Sequence, residues 1–326
     1  MSKKATVGVD VGGTNTAIGI VDAVGNVLVK GGIETPAHGD IDRYMTDLAN
    51  AINELIKSVK LVNSDIEILG IGVGAPNGNY YNGTIEYAPN LSFKGVIHFV
   101  SLLKNKFPEL PAIALTNDAN AAAIGEMIYG GAKNMKNFVM YTLGTGVGSG
   151  VVVNGDLVYG HDGFAGECGH TILIPGGRLC GCGTKGHLEA YCSAGGMKRT
   201  AFEIMARDNA GDSLLADKSF KELSSKMIFD AAEKGDKVAL EVFEQTGAWL
   251  GQGLADTVHH LSPEAIFLFG GPTAAGDYIF KPTKASLEAH LLPIFKNKIK
   301  VLPSELSMGD AAIVGASALV WKELEK

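Results

Sequence analysis

The sequence predicts an α/β fold made of two related domains with a ligand cleft between them, and three observations carry that prediction. A strand, glycine turn, strand, turn, strand unit occurs twice: laying Asp10 over Thr142 puts Gly12 over Gly144 and Ile20 over Val152. Each copy is followed by segments in which apolar residues recur at the helical period. Glycine supplies 43 of the 326 residues without a collagen repeat, nearly twice the usual share of about 7%. Such backbone suits tight turns and close approach to ligands. Internal duplication is the economical reading of the repeat. The expected boundaries are 1–118, completed by a last helix at 309–326, and 119–308, which carries a cysteine-rich loop at 167–189.

The elements follow in order. Alternating apolar residues predict strands at Thr6 to Val11 and Thr16 to Val21, a turn at Gly25-Asn26, and a third strand from Val27. Tyr44, Met45, Leu48, Ala49, Ile52, Leu55, Ile56 and Val59 share one face of a helix within Ile41 to Val59. An apolar run from Ile66 to Val73 reads as a buried strand, and the polar stretch Gly78 to Asn90 as a surface loop. A helix is expected over Val96 to Lys106 and a short strand at Ile113 to Leu115, which delivers Asn117 and Asp118 to an alanine-rich helix with Asp118 as its N-cap. After the second glycine turn, Phe164 to Cys192 reads as irregular backbone. Helices are expected at 195–206, 221–234, 237–260, 281–291 and 310–324, with strands from Ala265 and at 300–302.

Several classes fall away on composition. Net charge is −7, which disfavours a broad nucleic-acid or anionic-membrane surface. The N-terminus reaches Asp10 before any apolar run long enough for a signal peptide, and no window approaches 18 apolar residues. All four cysteines, Cys168, Cys180, Cys182 and Cys192, fall within one short segment, a pattern of metal binding in a reducing compartment and not of disulfide stapling. A cytoplasmic protein acting on small molecules is expected.

The two glycine turns leave backbone N–H groups open to phosphate oxygens, and Thr14, Thr145 and Ser149 can add hydroxyl donors. Taken singly, either turn reads first as a plain hairpin; their equivalence in a repeat favours a nucleotide site. A dinucleotide fingerprint from Gly144 fails, because Ser149 stands where glycine is needed and a strand follows, and no P-loop signature occurs. Asp10, at a strand end before the glycines, is placed to hold Mg²⁺ on the phosphates directly or through water. Asp118 is placed to take a proton from an attacking hydroxyl while Asn117 orients the acceptor. His170, Cys180, Cys182 and His187 offer two imidazoles and two thiolates for a tetrahedral, structural Zn²⁺. Cys168 and Cys192 are spare thiols, and either is an alternative ligand. Glu167 and Glu189 flank this loop and can accept hydrogen bonds from sugar hydroxyls, whereas the phosphate turns are expected to lie remote from it.

The ordered set AspValGlyGlyThr at Asp10, AsnAspAlaAsn at Asn117, LeuGlyThrGlyValGlySerGly at Leu143, GluCysGlyHis at Glu167 and CysGlyCysGlyThrLysGlyHisLeuGlu at Cys180 resembles bacterial sugar kinases of the ROK family (repressor, open reading frame, kinase). The resemblance covers essentially the whole chain. It implies duplicated actin-like (ribonuclease-H-like) ATPase domains with an interdomain active-site cleft. It also implies ATP-dependent phosphorylation of a hexose at its 6-hydroxyl, with glucose the leading substrate. N-acetylglucosamine, N-acetylmannosamine, mannose and fructose are the alternatives, and a catalytically silent sugar sensor is the alternative of another class. The family's catalytic base falls on Asp118, and its sugar contacts on Asn117, Glu167, His170 and Glu189, with Asn90 a further contact. Its phosphate turns fall on Gly12, Gly13 and Thr14 and on Gly144, Thr145 and Gly146, and its adenosine side on Gly270-Gly271. His187 stands where the family's zinc loop usually has a third cysteine. A homodimer is implied. Repressors of the family carry a DNA-binding segment before the first strand; only five residues precede Thr6, so no nucleic-acid partner is expected. The loop Gly78 to Asn90 and the helix around Gly195 are expected to shape sugar specificity.

Overall fold

The computed structural model describes residues 3–36 and 39–326. The strands are β1 (Lys3–Val11), β2 (Asn15–Asp22), β3 (Val27–Glu34), β4 (Ile66–Gly74), β5 (Gly78–Asn79), β6 (Thr84–Glu86), β7 (Val96–Ile97), β8 (Ala112–Thr116), β9 (Phe138–Leu143), β10 (Val147–Val153), β11 (Asp156–Leu157), β12 (Ala265–Phe269) and β13 (Lys300–Pro303). The α-helices are α1 (Ile41–Val62), α2 (Phe99–Lys106), α3 (Asp118–Ile128), α4 (Glu189–Cys192), α5 (Ala194–Asp208), α6 (Ser225–Ala232), α7 (Lys237–Leu261), α8 (Asp277–His290) and α9 (Ala311–Leu324). No helix among the described residues is long and apolar enough to cross a membrane.

The chain forms two compact units. The first comprises the residues up to Lys136, Gly150–Gly166 and Glu305–Lys326; the second comprises Asn137–Ser149 and Glu167–Ser304. This differs from a boundary after Asp118, because α3 packs along α9 and stays with the first unit. The unit boundary also passes through β10, so that Gly150–Gly166 belongs to the first unit.

In the first unit the sheet runs β3-β2-β1-β4-β8. β1 pairs antiparallel with β2 and parallel with β4, and β4 pairs parallel with β8. Alternation along β1 sends Val7 and Val9 into the core with Tyr44, Met45, Leu48 and Ile52 of α1. Gly8 points to the other face, and the register sets it beside Gly19 of β2 and Gly72 of β4. This glycine row is what α9 lies on. A Cβ on Gly8 would fall 1.9 Å from the Ile313 carbonyl oxygen, and one on Gly72 1.8 Å from that of Ala316. The helix can therefore approach the sheet only where side chains are missing.

Sequence expectations needed adjustment at three places in this unit. Val96 begins no helix: Ile97 pairs with Ile85, and α2 starts at Phe99. The stretch from Gly78 is more than a surface loop, since β5, β6 and β7 form a small antiparallel sheet in which Asn79 and Thr84 are buried. The N-cap of α3 is Asn117, whose side chain accepts from the Ala119 N–H, and Asp118 is the first helical residue.

A second five-stranded sheet runs β11-β10-β9-β12-β13, with β9, β12 and β13 parallel. Its strands follow the same order as those of the first unit's sheet: third, second, first, fourth, fifth. Helix α7 packs against α8 and α5, and its N-cap Asp236 accepts from Ala239 N. The expected helix at 221–234 shortens to α6 because Ser224 caps Met227 N and sets the start.

Candidate active site

The first group of site residues grows from the parallel core of the first sheet. Asp10 of β1 is level with Gly74 of β4, and Gly74 with Thr116 of β8. Two residues beyond Thr116 stands Asp118. Gly74 lies between the two acidic residues: a Cβ there would be in van der Waals contact with the Asp118 Cα at 3.7 Å. The chain turns after β1 through Gly12 to Thr14, closed by a hydrogen bond from Gly12 N to Asn15 O of 3.0 Å. Gly13 abuts Asn90, whose carbonyl oxygen would be 2.6 Å from a Cβ at that position. The first unit thus brings together Asp10, Gly12, Gly13, Asn90, Asn117 and Asp118.

Burial and the nearby charge of Asp118 raise the Asp10 carboxyl to about 6. Asp118 is open to solvent yet surrounded by protein. Desolvation raises its pKa above the ordinary carboxylate range, against the lowering effect of the Ala119 N–H, which donates to Oδ1 at 2.8 Å. A carboxylate held above its ordinary range is a stronger base than a solvated one, which suits it to accept a proton.

The sign of the Asp10 effect yields a stability prediction. A folded-state value above the unfolded value near 3.8 means that the native state binds the proton more tightly. Stability therefore falls as pH rises from about 4 to about 6 and stays reduced above that. Asp10→Asn is expected to stabilise the unliganded protein by about 1–3 kcal/mol at pH 7.5 and to leave it nearly unchanged at pH 4. Thermal melts at the two pH values check this; a Tm at pH 7.5 no higher than that of the parent would refute it.

The second unit supplies the other turn and the loop rich in His and Cys. After β9 the chain turns at Gly144-Thr145-Gly146, with Gly144 N donating to Gly146 O at 2.9 Å. Gly270, at the end of β12 with φ 113°, lies against the same strand end: a Cβ there would be 2.1 Å from Leu143 O. Gly270-Gly271 and the second turn are therefore neighbours. Ser149 is not a solvent-facing phosphate donor: it is buried, and its Oγ accepts from Cys168 N at 3.1 Å.

His170, Cys180, Cys182 and His187 converge, and one ligand atom from each lies within 4.8 Å of all the others. His170 Nδ1 is 3.2 Å from His187 Nδ1 and 3.8 Å from Cys180 Sγ, and Cys182 Sγ is 3.2 Å from His187 Nδ1. The edges of a zinc tetrahedron with bonds of about 2.0–2.3 Å are about 3.3–3.8 Å, so the donor set fits that metal. Burial and a hydrogen bond to Glu189 push the Cys180 thiol up to about 12, whereas the Thr184 backbone N–H holds Cys182 below the usual thiol value. Burial and the neighbouring His170 lower His187. Cys168 is not in the converging set. Cys192 is fully buried, its thiol facing Thr246 O at 3.7 Å.

Glu167 sits beside this cluster, its Oε2 4.0 Å from His170 Nε2, on the ring edge opposite the converging Nδ1. Glu189 does more than line a rim. Its Oε1 is 3.0 Å from Cys180 Sγ, and its Oε2 accepts from Val147 N at 3.1 Å, directly after the second turn. The expectation that this turn lies remote from the ligand loop is corrected: one carboxylate ties them together.

Two residues escaped the sequence reading. Arg178 lies in the ligand loop with its guanidinium 4.8 Å from the ring of Tyr191 and 4.9 Å from that of Trp249, and it bonds Thr200 and Glu203 of α5. Glu126 is fully buried in α3, where Oε1 accepts from Gly131 N and from Glu305 N. The only sequence signal for the latter is an acid in an alanine-rich helix.

A model of the ROK family matches residues 6–323. The chain is 36% identical to a glucokinase of Halalkalibacterium halodurans, with 99% of this chain and 97% of the relative covered. It is 31% identical to a glucokinase of Thermotoga maritima, with 99% of each covered. Among solved structures, a ROK family glucokinase from Streptomyces griseus in complex with glucose and AMPPNP matches with a TM-score of 0.79 at 31% identity, covering 98% of this chain and 99% of that one.

Proposed function

Because the chain belongs to the ROK family, we propose that it acts as a glucokinase, and the observation that carries the reading is the placing of Asp10 and Asp118 at the ends of parallel strands of one sheet, beside the first glycine turn. The protein is an ATP-dependent hexose kinase. In our reading Asp118 takes the proton of the hexose 6-hydroxyl as that oxygen bonds to the γ-phosphorus. The bond from phosphorus to the bridging oxygen breaks and ADP leaves with that electron pair. Asn117 spends its Oδ1 on the cap of α3 and so offers its amide nitrogen to the acceptor.

The remaining assignments follow the same reading. Gly12 and Gly144 spend their N–H groups on closing their own turns, so the backbone N–H groups of Gly13 and Thr14 and of Thr145 and Gly146 hold phosphate oxygens, and Gly270-Gly271 lies on the adenosine side. Asp10 would hold Mg²⁺, which supplies charge neutralisation at the phosphates. Asn90, Glu167, His170 and Glu189 contact sugar hydroxyls. Glu189 has Oε2 on Val147 N and Oε1 on Cys180 Sγ, so its contact with the sugar uses the remaining lone pairs of a carboxylate already fixed in place. His170, Cys180, Cys182 and His187 would hold a structural Zn²⁺; four protein ligands close the coordination sphere against a Lewis-acid role. The shared strand order of the two sheets supports a duplicated actin-like fold, and the family likeness supports a homodimer.

A coupled ADP-release assay tests the substrate. Glucose is expected to give the highest kcat/KM among glucose, mannose, fructose, N-acetylglucosamine and N-acetylmannosamine. An acetylated sugar preferred by about tenfold or more would overturn glucokinase and leave the hexose kinase standing. No turnover with any of them would favour the sensor.

A further inference from the structure

The segment between β11 and Glu167 is rich in glycine and is held in part by its own bonds, Ala165 N to Tyr159 O at 3.0 Å and Phe164 N to Asp162 Oδ1 at 3.3 Å. Gly160, Gly163 and Gly166 have φ of 75°, 95° and 96°, backbone that glycine adopts at high cost in conformational entropy. Yet this segment hands the chain directly to Glu167 and His170. Further anchors for it come from the stretch after β4. Asn79 is 1% exposed, and its Nδ2 donates to the Asp162 carbonyl at 2.8 Å. Its Oδ1 accepts from Tyr81 N at 3.0 Å and Asn82 N at 3.3 Å. The same oxygen is so near that a Cβ on Gly163 would lie 2.6 Å from it. Tyr81 donates its hydroxyl to the Gly160 carbonyl at 2.8 Å, and Tyr80 stacks on Tyr159 at 4.1 Å with an interplanar angle of 8°. Two carbonyls and one ring of the glycine-rich segment are thus held by three consecutive residues of one loop.

We infer that Asn79 and Tyr81 are positioning residues for the hexose: they clamp 159–163 and thereby set the place of Glu167, five residues beyond Asp162. The inference rests on the proposed role of Glu167 as a sugar contact. Asn79 itself is too buried to touch substrate, and its amide is spent on backbone, so its effect is transmitted through the chain it holds. This gives the loop from Gly78 a definite way to act on the sugar. It orders the glycine-rich segment whose freedom would otherwise be lost only on binding, and that loss would weaken affinity.

The test uses the full chain and three variants. Asn79→Asp is nearly isosteric and keeps the oxygen that Tyr81 N and Asn82 N need, but it sets a carboxylate oxygen against the Asp162 carbonyl. Tyr81→Phe removes only the hydroxyl of a half-exposed ring and should fold normally. Glu167→Gln reports on the underlying reading. The expected result is a hexose KM raised about tenfold or more in Asn79→Asp and severalfold in Tyr81→Phe, with the ATP KM within twofold of the parent. Amide hydrogen exchange should quicken in 159–167 and not in β1 or β4. A raised hexose KM in Glu167→Gln with unchanged values in both clamp variants would overturn the clamp and leave the Glu167 reading intact. A hexose KM unmoved in Glu167→Gln would overturn both. If Asn79→Asp fails to fold, Tyr81→Phe decides alone: an unchanged hexose KM and unchanged exchange at Gly160 refute the proposal.

Discussion

Asp118→Asn is expected to lower kcat by about 10²–10⁴-fold, the range typical for loss of a positioned general base, while the fold and most hexose affinity persist. The substitution is nearly isosteric, and the new side chain keeps an oxygen able to accept the Ala119 N–H that Asp118 now accepts at 2.8 Å. The N-cap of α3 is untouched because it belongs to Asn117. A second signature distinguishes loss of the base from a general disturbance. The Asp118 charge is one of the two causes that hold Asp10 high, so its removal should let the Asp10 carboxyl titrate at lower pH. Steady-state kinetics give the first readout and carboxyl titration by NMR the second. A kcat within about tenfold of the parent at unchanged pH optimum would remove Asp118 from the role of base.

Loss of metal from the histidine and cysteine cluster should be the next largest effect. Cys180→Ser is expected to bring zinc below about half an atom per chain and to raise the hexose KM by about 10–100-fold, the scale on which disturbed ligand surroundings act. The structure adds a consequence for the nucleotide. Glu189 joins Cys180 to Val147, so the ATP KM should rise as well, though less than that of the hexose. Cys192→Ala should leave zinc content and both KM values unchanged, because that thiol is packed in the interior and outside the converging set. Elemental analysis with kinetics before and after chelation checks the set. Full activity in protein freed of zinc would refute the coupling.

The placing of Asp10 and Asp118 shows how far local sequence pattern reaches. Both residues were marked by their position after an apolar strand and before a turn or helix start, a local pattern that the chain states outright. The convergence of His170, Cys180, Cys182 and His187 was legible for a related reason: four soft or imidazole donors lie within 18 positions, and intervening glycines let so short a segment fold back on itself. Repetition of the strand and glycine-turn unit likewise foretold two sheets, since the alternation of side chains is fixed by the pleat.

Tertiary structure alone decided which distant elements meet. The sequence identifies Gly8, Gly19 and Gly72 as residues without side chains, but only the register places them in one row, and only the packing puts the Ile313 and Ala316 carbonyls over Gly8 and Gly72. Arg178, Glu126 and Asn79 owe their roles to partners many residues away, so no local period could mark them. Glu189 was legible as a carboxylate near the ligands, yet its bond to Val147 depends on a strand 42 positions earlier. The physical reason is common to all of these. Periodicity and turn chemistry record which face of an element must leave water. They do not record which other element covers it, and that is settled by close packing and by the pairing of every buried polar group.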